Sequence, residues 1–308
     1  MNINPVLQKE LKLRMRGWRA AATIGIYLGF LALTAYFITV VARQDYYRST
    51  VDPQLSVGSY IALAVMQFVL ISFIAPALTT GAISGEREKQ TLDLLLCTRM
   101  TPLSIVTGKL FASISQVILL IIASLPIFSI VFLFGGISAK EILQLFGFFI
   151  IIALTFGSIG IFYSSYFKRT TAANVLSYGT IAFLYFGTIF FTVIYLVATQ
   201  NENYKGLFPL LYANPLMGFT SILWEQFGKG VFNFLPGFGF TVQGVGKTVS
   251  PWIINMIFNI VLSIVLLLLS ARRINPMRRG YHNNGRGKKT RKPNPLPVIS
   301  GTIPENID

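Results

Sequence analysis

Residues 142–167 read ILQLFGFFIIIALTFGSIGIFYSSYF, and this stretch contains no charged residue. An α-helix rises about 1.5 Å per residue, so the stretch is long enough to cross the roughly 30 Å hydrocarbon core of a bilayer. A charge at the bilayer centre costs about 2.5–3.5 kcal/mol or more, which accounts for the absence of charged residues. The stretch therefore predicts a transmembrane helix.

Five further stretches of this kind occur along the chain, and none of them carries a charge. The six predicted spans are residues 20–41, 57–80, 110–134, 142–167, 172–199 and 252–271. The composition agrees, because 53% of residues are hydrophobic and only 12% are charged. The predicted fold class is an all-α polytopic membrane protein with six transmembrane helices.

The distribution of Lys and Arg predicts the orientation. The chain has 26 Lys and Arg against 11 Asp and Glu, a net charge of +15. Counted on alternate sides of the six spans, 20 basic residues lie on the side of both termini and 6 lie on the other side. The positive-inside rule then places the N- and C-termini in the cytoplasm. The charge lies at membrane edges, which argues against a nucleic-acid-binding protein.

The chain divides into three predicted regions. Residues 1–19 form an amphipathic helix, residues 20–271 form the six-span domain, and residues 272–308 form a basic, disordered cytoplasmic tail. Leucines and Trp18 share one stripe of the first region and basic residues oppose them, which favours an interfacial helix over a basic segment that only sets topology. For the tail, an anchor to anionic lipid headgroups is favoured over a specific partner.

The cytoplasmic segment, residues 81–109, carries an unusual pattern. It begins GAISGEREKQTLDLLLCTRMTP, in which charged residues are followed by a leucine cluster. On a helix, Leu92, Leu95 and Leu96 share one face and Lys89 forms an i,i+4 pair with Asp93. Thr101 is predicted to cap the next helix, with Pro102 in its first turn. An exposed leucine face implies a protein partner.

Three motifs together resemble the membrane subunits of type-2 ABC exporters: NPVLQKELKLRMR at residues 4–16, GAISGEREKQTLDLLL at 81–96 and TPLSIVTGK at 101–109. In that family the first motif is the elbow helix and the second is the coupling helix, which docks on the ATPase subunit. The sequence departs from the family at Gln90, where many members have Gly, and on an exposed helix we expect little effect.

The resemblance implies contacts and partners. The implied ATPase contacts are Glu86, Arg87, Glu88, Thr91, Leu92, Leu95 and Leu96. The implied partners are a dimer of cytoplasmic ABC ATPase subunits, which bind ATP and Mg, and a second permease subunit, either a copy or a paralogue. Residues 244–248 read GVGKT, but Thr241 stands where a P-loop needs its first glycine. We therefore expect no ATPase activity and no bound cofactor in this chain.

Two features inside the spans have both a structural and a functional interpretation. Hydroxyl groups form a stripe on span five, at Tyr178, Tyr185, Thr188, Thr192 and Tyr195. These side chains line the transport pathway or make interhelical hydrogen bonds, and the second interpretation is favoured. Gly25 and Gly29 form a G-x-x-x-G pair in span one, which is either a close helix–helix contact or chance spacing. Pro76 and Pro126 are expected to kink or end their helices.

The extracellular segment, residues 200–250, is rich in Phe, Gly and Pro and has few charges. An apolar loop of this kind lies against the membrane, either as an aromatic belt or, as the family resemblance implies, as short re-entrant helices that cap the exit path.

The function predicted from these features is that of an exporter permease in the cytoplasmic membrane, expected in a bacterium. An ABC-associated subunit for signalling or for extraction of a lipid-embedded molecule stays open. A secondary transporter is disfavoured because no carboxylate lies in a span to couple ions. An intramembrane hydrolase is disfavoured because the spans lack His, Cys, Asp and Glu. With one cysteine, Cys97, and one histidine, His282, no metal site is expected. Peptide, antibiotic, lipid, ion and glycan substrates all stay open.

Overall fold

The computed structural model describes residues 18–44, 53–92, 101–133, 137–199, 209–228 and 250–274. These residues form helices, turns and short connections, with no strand among them. The helices are α1 (Trp18–Gln44), α2 (Pro53–Glu88), α3 (Pro102–Ala123), α4 (Leu125–Leu133), α5 (Ala139–Tyr166), α6 (Thr170–Ala182), a π-helical turn (Phe183–Gly187), α7 (Thr188–Thr199), a 3-10 turn (Pro209–Ala213), α8 (Pro215–Phe227) and α9 (Pro251–Ile274).

Six helical stretches within the described part of the chain are long and apolar enough to cross a membrane. They are α1, α2, α3 with α4, α5, α6 through α7, and α9. The predicted fold class, an all-α polytopic protein with six spans, is confirmed. Most of the predicted elbow helix and of the basic tail lies outside the described residues, which include only residues 18–19 of the first and 272–274 of the second. The cytoplasmic position of the termini stays a prediction.

Helix α5 lies at the centre of the bundle and packs against α2, α3, α6 and α9. It packs closely on α2, because a Cβ atom added at Gly160 would overlap the side chain of Thr79 and lie 3.3 Å from the backbone nitrogen of Thr80. About three turns away along the same pair of helices, Phe68 of α2 stacks on Phe148 of α5 with ring centroids 6.5 Å apart. Because glycine has no side chain, position 160 allows α2 and α5 to approach closely.

Local sequence signals set several helix ends. The Thr101 side chain accepts a hydrogen bond from the Ser104 N–H, with Pro102 in the first turn, as predicted. Ser138 and Glu141 form a reciprocal capping box at the start of α5. The third span breaks at Ser124, directly before Leu125 and Pro126, so this proline marks the break that the sequence predicts. Pro76, by contrast, lies inside the continuous helix α2.

The described part of the predicted extracellular segment contains one short α-helix packed on the bundle. The Phe219 ring of α8 stacks on Phe68 at 4.7 Å and on Phe149 at 6.3 Å between centroids. Asn214 caps α8 by accepting a hydrogen bond from the Leu216 N–H at 2.8 Å. A short helix is therefore present in this segment, and its role in capping an exit path stays a prediction.

Candidate functional site

The predicted cytoplasmic segment does not begin as a loop at residue 81. Helix α2 continues through this position to Glu88. The helix then closes with two hydrogen bonds, from the Gln90 N–H to the Arg87 carbonyl at 3.1 Å and from the Thr91 N–H to the Glu86 carbonyl at 2.9 Å. This is the Schellman pattern of a helix C-terminus. The helix of the second span thus extends beyond the predicted span and ends in the charged motif.

Gln90 occupies the left-handed position of this Schellman motif, with φ of 58°. Glycine is usual at this position because it has no Cβ to clash with the backbone. The prediction of one helix through residues 89–96 is therefore wrong, since Lys89 and Gln90 form a turn. Lys89 does not share a helix with Asp93, which lies outside the described residues. Gln90 therefore lies in a turn and not on a continuous helix, and the effect of glutamine at this position stays a prediction.

Glu86 links the turn at Gln90 to helix α3. Its carboxylate accepts a hydrogen bond from Lys109 Nζ at 3.1 Å and another from the Thr91 hydroxyl at 2.6 Å. The Lys109 side chain is only 2% exposed, whereas that of Glu86 is 30% exposed. A nearly buried ammonium group needs a paired anion, and Glu86 supplies it. The position of Lys109 just before the predicted third span gives no signal that it forms a buried ion pair.

Arg87 and Glu88 bond to the connection between helices α5 and α6. Arg87 donates to the carbonyl oxygens of Ser165 and Phe167, at 3.1 and 3.2 Å, where α5 ends. The Glu88 carboxylate accepts a hydrogen bond from the Thr170 N–H at 2.7 Å, where α6 begins. The cation thus meets a helix C-terminus and the anion meets a helix N-terminus, the favourable arrangement at both ends.

Leu92 is not part of an exposed leucine face. Its side chain is 6% exposed and belongs to an apolar cluster with residues of α2, α3 and α9, including Ile83, Val106, Leu110 and Ile274. The expectation of an exposed Leu92 is wrong, because after the turn at Gln90 the Leu92 side chain packs against these helices. Residues 93–100, which include Leu95 and Leu96, lie outside the described residues, so their exposure stays a prediction.

Two tyrosines of the hydroxyl stripe on span five make interhelical hydrogen bonds. Tyr178 donates to the Phe73 carbonyl at 2.8 Å, and the Tyr185 and Ser72 hydroxyls are 2.7 Å apart. These bonds tie α6 and the π-helical turn to α2. The favoured packing interpretation agrees with them, and the lining of a transport pathway stays a prediction.

The second half of the stripe is not continuous with the first. The π-helical turn Phe183–Gly187 widens the helix and shifts the register of the residues that follow. Thr188 accepts a hydrogen bond from Asn214 Nδ2 at 2.8 Å, and Thr192 donates to the Thr188 carbonyl at 2.7 Å. Tyr195 lies near the end of α7 and is 43% exposed.

The two glycines of span one make no close helix contact within the described part of the chain. A Cβ added at Gly25 or Gly29 would meet no atom within 4 Å. Both lie on an exposed face of α1. Of the two interpretations, a close contact is therefore not made within the described residues of this chain, and the role of the pair stays a prediction.

An amide network at the opposite end of the bundle was missed from the sequence. Asn255 and Asn259 of α9 are at most 1% exposed. Asn255 donates to the carbonyl oxygens of Tyr212 and Asn214, at 2.6 and 2.9 Å, and Asn259 donates to the Asn255 side chain at 2.8 Å. The available signal was the four-residue spacing of two amides within an apolar span. The network joins α9 to the predicted extracellular segment.

Comparison with protein families decides the classification. The family described as ABC-2 family transporter protein matches residues 4–273.

The chain belongs to the ABC-2 transporter family.

ABC-2 membership covers all six spans together with the motif at Glu86, so the chain is an ABC transporter permease and a multi-pass membrane protein. Comparison with curated proteins finds no match. Proteins of this family are membrane components of transporters and associate with ABC ATPase subunits. Within the residues that the structure describes, no group of three or more His, Cys, Asp or Glu side chains is arranged to hold a metal ion.

Proposed function

We propose that the chain is the permease subunit of an ATP-driven exporter, in which a separate ABC ATPase subunit hydrolyses ATP. The observation that carries this proposal is the match of the ABC-2 transporter family over residues 4–273. The geometry at the end of α2 supports it, because residues 91–100 connect a fixed helix end at Gln90 to a capped helix start at Thr101. A short connection between two fixed helix ends is suited to transmit a push from a docked partner.

The proposed assembly contains two ATPase subunits, which bind ATP and Mg, and a second permease that is a copy or a paralogue of this chain. It lies in the cytoplasmic membrane of a bacterium, with the segment after Gln90 on the ATPase side. The excess of 20 over 6 basic residues on that side supports this orientation.

Among the residues that the motif proposes as ATPase contacts, Leu95 and Leu96 are expected to contribute most. Glu86, Arg87, Glu88 and Thr91 make hydrogen bonds within the chain, and Leu92 packs inside it. Burial of two leucine side chains supplies up to about 1.5–3 kcal/mol each. Exposed ion pairs add at most about 1 kcal/mol.

Affinity purification of the chain co-expressed with its ATPase subunit tests this proposal. The Leu95→Asp, Leu96→Asp double variant should lose the ATPase subunit while its amount in the membrane stays normal, because the two residues lie outside the predicted spans. Lys89→Ala, an exposed change in the same segment, should retain the ATPase subunit. An unchanged amount of bound ATPase in the double variant would contradict the proposed contact.

A further inference from the structure

The three charged residues that end α2 lie on one helical turn, yet they bond to three other helices. Glu86 reaches Lys109 of α3, Arg87 reaches Ser165 and Phe167 at the end of α5, and Glu88 reaches α6. We propose that Glu86, Arg87 and Glu88 are positioning residues, which lock the end of α2 to α3, α5 and α6 so that a displacement of residues 91–100 moves four spans together. We call these three side chains the clasp.

The Glu88 contact supplies what α6 lacks. The N-cap residue of α6 is Arg169, and its side chain makes no capping hydrogen bond. The first N–H groups of a helix have no partner within the helix, and they favour a nearby anion. The Glu88 carboxylate accepts from the Thr170 N–H at 2.7 Å and from the Thr170 hydroxyl at 3.1 Å. Helix α6 is therefore capped by α2 and not by its own sequence.

The Arg87 contact does the same for the end of α5. The last carbonyl groups of a helix have no partner within the helix and favour a cation. The guanidinium group donates from Nη2 to Ser165 and from Nη1 to Phe167, so it spans the point where α5 ends. Lys in its place offers a single point of charge instead of this planar fork. One residue of α2 thereby fixes the connection between α5 and α6.

The Glu86 contact fixes the remaining helix and the turn itself. One carboxylate oxygen accepts from Lys109 and the other accepts from Thr91. Ile83 and Ser84 of α2 also donate their N–H groups to the Ser164 hydroxyl of α5, at 3.0 and 2.9 Å, one turn before the clasp. The end of α2 is therefore bound on several sides, and it can follow a push only if α3, α5 and α6 follow too.

The proposal deepens the proposed function, because positioning matters for transport only if an ATPase pushes on residues 91–100. It differs from the docking role that the motif alone implies for these three residues. A docking residue is needed for binding of the ATPase subunit, whereas a positioning residue is needed after binding, for the movement of the spans.

The locking can be tested in the full chain without a partner. In a Cys97→Ser background, spin labels at Lys89→Cys and Lys168→Cys, both exposed, report the distance between the end of α2 and the connection from α5 to α6. In lipid nanodiscs the distance distribution should be narrow. Arg87→Ala with Glu88→Ala should broaden it and add a longer component, whereas Glu88→Gln, which can still accept from Thr170, should keep it narrow.

Arg169→Ala is the matched control, because this exposed residue makes no capping bond, and it should leave the distribution unchanged. An unchanged distribution in the double alanine variant would overturn the clasp, whether or not an ATPase subunit exists.

The transmission can be tested in the complex with the ATPase subunit. Labels at Leu103→Cys and Lys168→Cys should show an ATP-dependent change of distance in the parent. The double alanine variant should still co-purify with the ATPase and hydrolyse ATP, but it should lose this change. Loss of co-purification would instead make the clasp a docking surface and would overturn the positioning role. Failure of the parent to bind an ATPase counts against the proposed function and leaves the spin-label result on locking to stand separately.

Discussion

Gln90 holds a left-handed backbone conformation at the end of α2, with φ of 58°. Such a conformation costs a residue with a side chain roughly 1–2 kcal/mol, while glycine loses about 0.5–1 kcal/mol in chain entropy. Gln90→Gly should therefore raise the thermal unfolding midpoint in detergent by roughly 1–3 °C. Gln90→Val should lower it, because a β-branched side chain fits this conformation poorly.

Lys89→Gly provides the control in the same turn, since Gln90 is the residue with positive φ among the described non-glycine positions. This change should lower the midpoint or leave it unchanged. Equal increases from Lys89→Gly and Gln90→Gly would contradict the strain at position 90.

The residues of the candidate site were partly predictable. The cap at Thr101 follows from a threonine directly before Pro102, a local signal that needs no tertiary contact. The burial of Leu92 was not predictable in this way, because it depends on the turn at Gln90. The family resemblance leads us to expect a glycine at position 90, which would signal a helix end, and the glutamine at this position conceals that signal.

At the scale of helices, the contact of α2 with α5 depends on Gly160. Gly160→Ala would place a Cβ against Thr79 and 3.3 Å from the backbone of Thr80. Overpacking of this kind costs about 1–3 kcal/mol. Gly147→Ala on the same helix meets no atom within 4 Å and gains about 1 kcal/mol of helix propensity. Thermal unfolding in detergent should therefore rank Gly147→Ala above the parent and Gly160→Ala below Gly147→Ala.

Equal midpoints for the two alanine variants would show that α2 and α5 do not approach closely at Gly160. The folded yield of each variant, measured by size-exclusion chromatography, separates a loss of stability from a loss of insertion.

The spans were predictable because hydrocarbon requires a long run of apolar residues. Helix boundaries were less predictable where polar groups find partners in other helices. The predicted second span ends at residue 80, but its helix continues to Glu88, because the charged side chains after residue 85 bond to neighbouring helices. The π-helical turn Phe183–Gly187 likewise left no periodic signal in the sequence.

At the scale of the whole molecule, the orientation is tested by cysteine labelling. In a Cys97→Ser background, Lys229→Cys should react with a membrane-impermeant thiol reagent added outside intact cells, and Lys289→Cys should react only after the cells are opened. The positive-inside distribution of 20 against 6 basic residues is the reason. The reverse pattern of labelling would invert the whole topology.

The division of labour between subunits gives a second test at this scale. The purified chain alone should hydrolyse no ATP, because its GVGKT sequence lacks the first glycine of a P-loop. A phosphate-release assay measures this, with the co-purified ATPase complex as the positive control. Hydrolysis by the isolated chain at the rate of the complex would refute the need for a separate ATPase subunit.

Site-specific photocrosslinking in native membranes determines whether residues 91–100 bind the ATPase subunit. A photoreactive amino acid in place of Leu96 should form an adduct with a protein that contains a nucleotide-binding P-loop, identified by mass spectrometry. The same amino acid in place of Leu143, which is 75% exposed near the start of α5, should form no such adduct. An ATPase adduct at position 143, or none at position 96, would contradict the account.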